Sequence, residues 1–94
     1  MVDNTFFSDF TIADRFGIAA IKDTYRRAFK EWHTDYKMLT ALAIALNHKV
    51  WEHFQESPDG EITLLYNELW EQTDAYAISH LKGDALRYYY KETD

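Results

Sequence analysis

The chain contains no cysteine. Disulfide staples, thiolate metal sites and cysteine nucleophiles are therefore excluded. Three glycines and one proline are too few for a turn-rich β-sandwich. An excess of basic charge is also lacking: sixteen acids face ten bases, a net charge of −6. That balance works against non-specific binding to nucleic acid or to an anionic membrane, since phosphates are repelled overall. No long apolar run exists. The longest stretch, Met38 to Leu46, is interrupted only by Thr40 and falls well short of the ~20 residues a membrane span needs. Met1-Val2-Asp3-Asn4-Thr5 has no basic stretch leading into an apolar one, so no secretory leader is expected. These absences together predict a soluble protein of a reducing cytoplasm.

What the chain does have is aromatic side chains: 3 Trp, 7 Tyr and 6 Phe in 94 residues. That length fits one domain and buries only a little over ~60% of its unfolded surface. Large rings help so small a core bury enough area. The charge is uneven. Residues 1–34 carry five acids and five bases, whereas residues 61–94 carry seven acids and three bases, so the last third is the acidic end.

Hydrophobic periodicity predicts helices throughout. Ile18, Ile21, Tyr25, Ala28, Phe29 and Trp32 form one stripe of a helix over 18–34. Leu39, Leu42, Ala43, Leu46, Val50, His53 and Phe54 form the stripe of a second, over 36–55, with Asp35 as its N-cap. Met38, Ala41, Ile44 and Ala45 add apolar surface around its first half, so that half is expected to be central and covered by the phenylalanine-rich N-terminus. Ser57-Pro58-Asp59-Gly60 is a turn. Ile62, Leu65, Tyr66, Leu69, Thr73, Tyr76, Ala77 and His80 mark a third helix over 61–81, stopped by Gly83. Asp84 reads as the cap of a short last helix over 84–91. In the aromatic segment 1–17, Thr11-Ile12-Ala13-Asp14 reads as a capping box opening a short helix, with Thr11 at the N-cap and Asp14 reaching back. The expected fold is all-α: residues 1–94 form a single domain, a three-helix up-down-up bundle with short terminal helices. Leu42, Leu46, Leu65 and Leu69 are its expected buried centre.

Four strings, FTIADRFG at 10–17, AIKDTY at 20–25, RAFKEW at 27–32 and LKG at 81–83, are distinctive together. Through them the chain resembles small helical proteins encoded on phage and conjugative elements of gut bacteria, over nearly its whole length. The resemblance implies a mobile-element accessory protein in a bacterial cytoplasm. Small acidic proteins of such elements are often inhibitors of host defence, so it also implies an anti-CRISPR or anti-restriction role against a bacterial protein partner. It brings no catalytic or binding residues with it.

No catalytic motif accompanies these helices. There is no H-E-x-x-H, no Glu-x-x-His of the di-iron bundle type, no G-x-S-x-G elbow and no glycine-rich phosphate loop. Ser79 and His80 are neighbours on a helix, pointing about 100° apart, and are not expected to pair. His48, Glu52 and Glu56 share a helical face and read as a solvated stripe. His53 and His80 fall on apolar stripes and read as core-edge histidines. No enzyme activity, cofactor or metal is expected. The candidate binding residues are of two kinds. Trp51 and Trp70 lie off the centres of their helices' main stripes, and Glu68, Glu71 and Asp74 form an acidic face suited to a basic partner. Leu64, Ile78 and Ile44 add apolar surface away from the main stripes. That surplus is either covered by the aromatic termini or offered to a partner, another protein or a second copy. The alternative reading is a small DNA-binding or regulatory module using Lys22, Arg26, Arg27 and Lys30 on the first long helix.

Overall fold

The computed structural model describes residues 5–94; the expectation about a leader rests largely on residues 1–4 and lies outside them. The fold is all-α, with five helices and no strand among the described residues. They are α1 (Thr5–Asp14), α2 (Ile18–Trp32), α3 (Tyr36–Glu56), α4 (Glu61–His80) and α5 (Asp84–Thr93). No helix among the described residues is long and apolar enough to cross a membrane.

The three long helices lie where the periodicity puts them. Asp35 caps α3 as expected, its carboxylate accepting from the backbone N–H of Lys37 at 3.0 Å and Met38 at 3.2 Å. This satisfies two of the donors a helix start leaves open. α2 ends two residues early: the backbone N–H of His33 still bonds the Phe29 carbonyl at 2.9 Å, but the backbone N–H of Asp35 turns to the Trp32 carbonyl at 3.0 Å, and Asp35 is already extended at φ −97°, ψ 110°. α3 packs against all four other helices. Leu42 and Leu46 are fully buried, and Leu65 and Leu69 nearly so.

The terminal helices depart from expectation. α1 starts at Thr5, so Thr11 is in its interior and does not cap it. The Thr11 hydroxyl donates back to the Phe7 carbonyl at 2.9 Å, the usual recourse of a threonine inside a helix. Asp14 is the last residue of α1, not the third of a new helix. Phe6, Phe10 and Ala13 follow a 4–3 spacing and bury α1 against α2 and α3, with Phe10 edge-on to Tyr66 of α4. The first half of α3 is shared between the two ends: Phe6, Phe10 and Ala13 of α1 join a buried cluster with Ala41, Leu42, Ala45 and Leu46, as expected, while Tyr89 of α5 packs with Leu39, Ala43 and Ala77 and Tyr88 meets Tyr36 edge-on. α1 reaches further along α3, where Phe7 meets His48. Asp84 is the first residue of α5 and pairs with Arg87 at 3.2 Å, while Gly83, at φ 59°, precedes the helix.

Gly17 makes the corner between α1 and α2 at φ 101°, ψ −168°. Only glycine occupies that region readily. A Cβ added there would meet nothing within 4 Å, so the constraint lies in the backbone alone. Gly17→Ala is expected to cost about 1–3 kcal/mol of stability, measured by urea unfolding. A synthetic chain with D-alanine at 17 should recover most of it. Equal loss with both enantiomers would locate the cost in side-chain contacts instead.

Candidate functional site

The densest polar cluster sits where α1, α3 and α4 meet. Lys49 is fully buried, 0% exposed. It lies on α3 in the 3–4–3–4 line Leu39, Leu42, Leu46, Lys49, His53, so helix geometry turns its stem into the core. Its ammonium has three protons and three acceptors: Asp14 Oδ2 at 2.6 Å, Glu52 Oε2 at 2.5 Å and Thr11 Oγ1 at 3.3 Å. The same ammonium approaches the rings of Phe7 and Tyr66, at 5.2 and 5.8 Å from their centroids, which adds cation–π attraction in a desolvated place.

Asp14 is the hub. Its Oδ2 also accepts from His53 Nε2 at 3.0 Å, and its Oδ1 accepts from the Tyr66 hydroxyl. The imidazole of His53 stacks on Tyr66, with centroids 5.4 Å apart. A carboxylate at a helix C-terminus faces the negative end of the dipole. The donors from α3 and α4 offset that penalty.

Asp14, Glu52 and His53 bring possible metal-ligand atoms within 4.8 Å of one another. The Lys49 ammonium already bridges the two carboxylates, so the cation position is filled by the protein itself. The exposed face His48, Glu52, Glu56 is not drawn together: Glu52 turns to Lys49, and His48 packs on Phe7. Lys49 was missed in the sequence because a lysine counts as polar in a hydrophobic pattern. The available signal was its position on the leucine line.

Each candidate binding residue has a definite place. Trp51 is 57% exposed and meets Phe54 edge-on at 5.4 Å. Phe54, which the stripe places inside, is itself 43% exposed. The contact face of α3 runs through Lys49 and His53, and Phe54 lies about 100° around the helix from His53. Trp70 is half-buried, packed on both parts of the core beside Glu92 and Thr93 of α5. It is therefore largely spent inside the fold. Leu64 and Ile78 are exposed, as expected, and Ile44 is half-buried.

The acidic set does not act as one face. Asp74 accepts from the Tyr89 hydroxyl at 2.6 Å and so anchors α5. Glu68 and Glu71 are exposed, each receiving a neighbouring amide: Gln72 at 3.4 Å and Asn67 at 3.1 Å. The basic set is divided too. Lys22 and Arg26 share a cleft between α2 and α4 with Glu68, while Arg27 pairs with Asp23 at 3.2 Å on another side of α2, and Lys30 is exposed. A phosphate approaching Lys22 and Arg26 would meet Glu68 as well.

Ser79 and His80 do make contact, contrary to expectation. Ser79 Oγ lies 2.9 Å from His80 Nδ1, and both side chains also bond the Tyr76 carbonyl, at 3.1 and 3.0 Å. The two side chains converge because each reaches back to one carbonyl of the last turn. His80 stacks on Tyr76 at 3.9 Å, completing a helix-end cap.

Comparison with family models, curated proteins and solved structures finds no match to this chain.

Two expectations follow. Lys49→Met leaves Asp14 and Glu52 facing each other without a counter-charge, and Asp14→Ala leaves Lys49 without its main partner. Removing one member of a buried pair costs about 3–5 kcal/mol, so urea midpoints should fall steeply in both variants. Zinc should recover part of the loss in Lys49→Met, where the cation position is vacated, and none in Asp14→Ala.

Burial first, and then the carboxylates Asp14 and Asp74, push the hydroxyls of Tyr66 and Tyr89 far above the ordinary tyrosine value. Burial also raises Tyr25. The folded state thus disfavours the phenolate. Its contribution is complete below the unfolded value of about 10 and is lost as pH climbs toward the raised folded values. Stability should fall above pH ~10, and phenolate absorbance at high pH should leave Tyr66 and Tyr89 un-ionised until the chain unfolds. Tyrosine-to-phenylalanine variants at 66 and 89 assign the late-titrating signal.

Proposed function

We propose that this chain is a non-enzymatic protein-binding module of a bacterial mobile element, acting in the cytoplasm on a component of host defence. One observation carries the binding reading: Trp51 and Phe54 remain exposed together on α3 after both aromatic termini have folded back. Intramolecular packing had first claim on surplus apolar surface and has taken Phe6, Phe10, Tyr89 and most of Trp70. A neighbouring tryptophan and phenylalanine left outside suit the anchor of an interface, where tryptophan is enriched. The Asp14–Lys49 centre supports a non-catalytic role, since its donors and acceptors are spent on one another. Glu68 and Glu71, on the acidic last third of the chain, favour a basic partner by steering its approach. The arrangement proposed for the scaffold is an up-down-up bundle of α2, α3 and α4, braced by α1 and α5.

The host-defence part of the proposal rests on the resemblance to mobile-element proteins. It is tested by expressing the chain in a bacterium with active CRISPR interference or restriction and counting plaques of a targeted phage. Wild type should raise plaquing and capture one defence component by affinity. Trp51→Glu with Phe54→Glu should lose both while keeping the parental melt. Glu68→Lys with Glu71→Lys should slow association with the captured protein, by less at high salt, where attraction is screened. Unchanged capture by the Trp51/Phe54 variant would remove that pair from the interface. Plaquing unaffected by wild type under both systems would remove these defence systems as targets.

A further inference from the structure

A second feature stands apart from the Trp51–Phe54 pair. α1 and α2 run side by side from the Gly17 corner, and between them lies an open groove of about 510 Å³. Its lining is apolar and shallow where small side chains stand: Ala13, Ala20 and Ala28, with Thr24 between the last two. Ala20, Thr24 and Ala28 recur every fourth residue and so lie in one line along α2. Large apolar side chains rise at the ends. Ile12 and Phe16, 56% and 76% exposed, stand at the corner, and Trp32 stands at the far end of α2. A phenylalanine so exposed beside an open groove gains little from the fold of the free chain.

The rim carries charge of one predominant sign. Asp9, Asp23 and Glu31 border the groove against a single base, Arg27. Arg27 is paired with Asp23 at 3.2 Å. Asp9 and Glu31 make no ion pair among the described residues, so the rim retains two uncompensated carboxylates, one from each helix.

We infer that the groove between α1 and α2 receives an amphipathic helix of a partner protein, apolar on the inserted side and carrying Lys or Arg along its flanks. Small residues in the floor let a helix approach closely, and the larger end residues define where it stops. α2 has 15 residues, which at 1.5 Å each gives about 22 Å, the length of a four-turn helix. A β-strand would need a free strand edge to pair with, and the described residues contain none; a polyproline II segment docks between aromatic rings, whereas this floor is Ala13, Ala20, Thr24 and Ala28. A second copy of this chain fits poorly, because a two-fold contact sets the same rim acids against one another. Nucleic acid and anionic lipid meet the same repulsion.

The test uses two synthetic 18-residue helical peptides of identical apolar stripe, one flanked by lysine and one by glutamate. Each is titrated into the isotopically labelled full chain and followed by its amide NMR signals. The lysine peptide should shift the amides of Ala20, Thr24 and Ala28 and protect Trp32 from quenching, while the glutamate peptide binds at least about tenfold more weakly, a difference of 1.4 kcal/mol. Asp9→Lys with Glu31→Lys, both exposed positions, should reverse that preference without changing the melt. Thr24→Trp, which fills the groove, should block the lysine peptide. The Trp51→Glu/Phe54→Glu variant should bind it as wild type does, which separates this site from the proposed function. Four results would overturn the inference: no binding, equal binding of both peptides, shifts centred on Trp51 and Phe54, or concentration-dependent groove shifts without peptide that reveal a second copy there.

Discussion

The contact between the Asp14 carboxylate and the buried Lys49 ammonium is the constraint around which this small domain is arranged. An ammonium with no exposure to water is tolerated only where each of its protons finds an acceptor and its charge finds an opposite. Asp14, Glu52 and Thr11 meet both requirements. Two of the three come from α1, so α1 cannot leave without stripping the lysine. The register of α1 on α3 is therefore set by charge as well as by Phe6 and Phe10.

The same device recurs at the other end of the chain in a milder form. α5 docks through a buried ring, Tyr89, whose hydroxyl donates to Asp74 on α4. α1 docks through buried rings and through Asp14, which accepts from Tyr66 on α4. In each case apolar area supplies most of the stabilisation and one carboxylate–phenol contact selects the register. Ten-residue helices are marginal alone in water. Both terminal helices consequently depend on tertiary docking, and the aromatic richness of the termini is explained by it.

Docking the ends also defines what remains for other molecules. α5 docks on the Leu39–Ala43 side of α3, where Trp70 packs against the same cluster, while Trp51 and Phe54 are left outside. Gly17 turns α2 back alongside α1, and the alanine-floored groove lies between the two helices beside Phe16. The two surfaces are of different character: one is a pair of projecting rings, the other a concave trough with acidic edges.

Local pattern determined a good deal. A repeat of 3.6 residues is a property of neighbouring positions, so the spans of α2, α3 and α4, the Asp35 cap and the burial of Leu42, Leu46, Leu65 and Leu69 could be read directly from the chain. The scarcity of glycine and proline, together with that periodicity, pointed to the all-α class. Other features depended on residues remote in sequence. Asp14 takes its partners from His53 and Tyr66, 39 and 52 residues away, and nothing beside it in the chain distinguishes that fate from a capping box. Lys49 reads as a solvent residue until Asp14 and Thr11 arrive from another helix. The acidic set on α4 reads as one face until Tyr89 claims Asp74. Which aromatic rings are buried and which remain outside was decided only in the tertiary structure, because burial depends on where the two terminal helices come to rest, and that is settled by contacts between helices rather than within them.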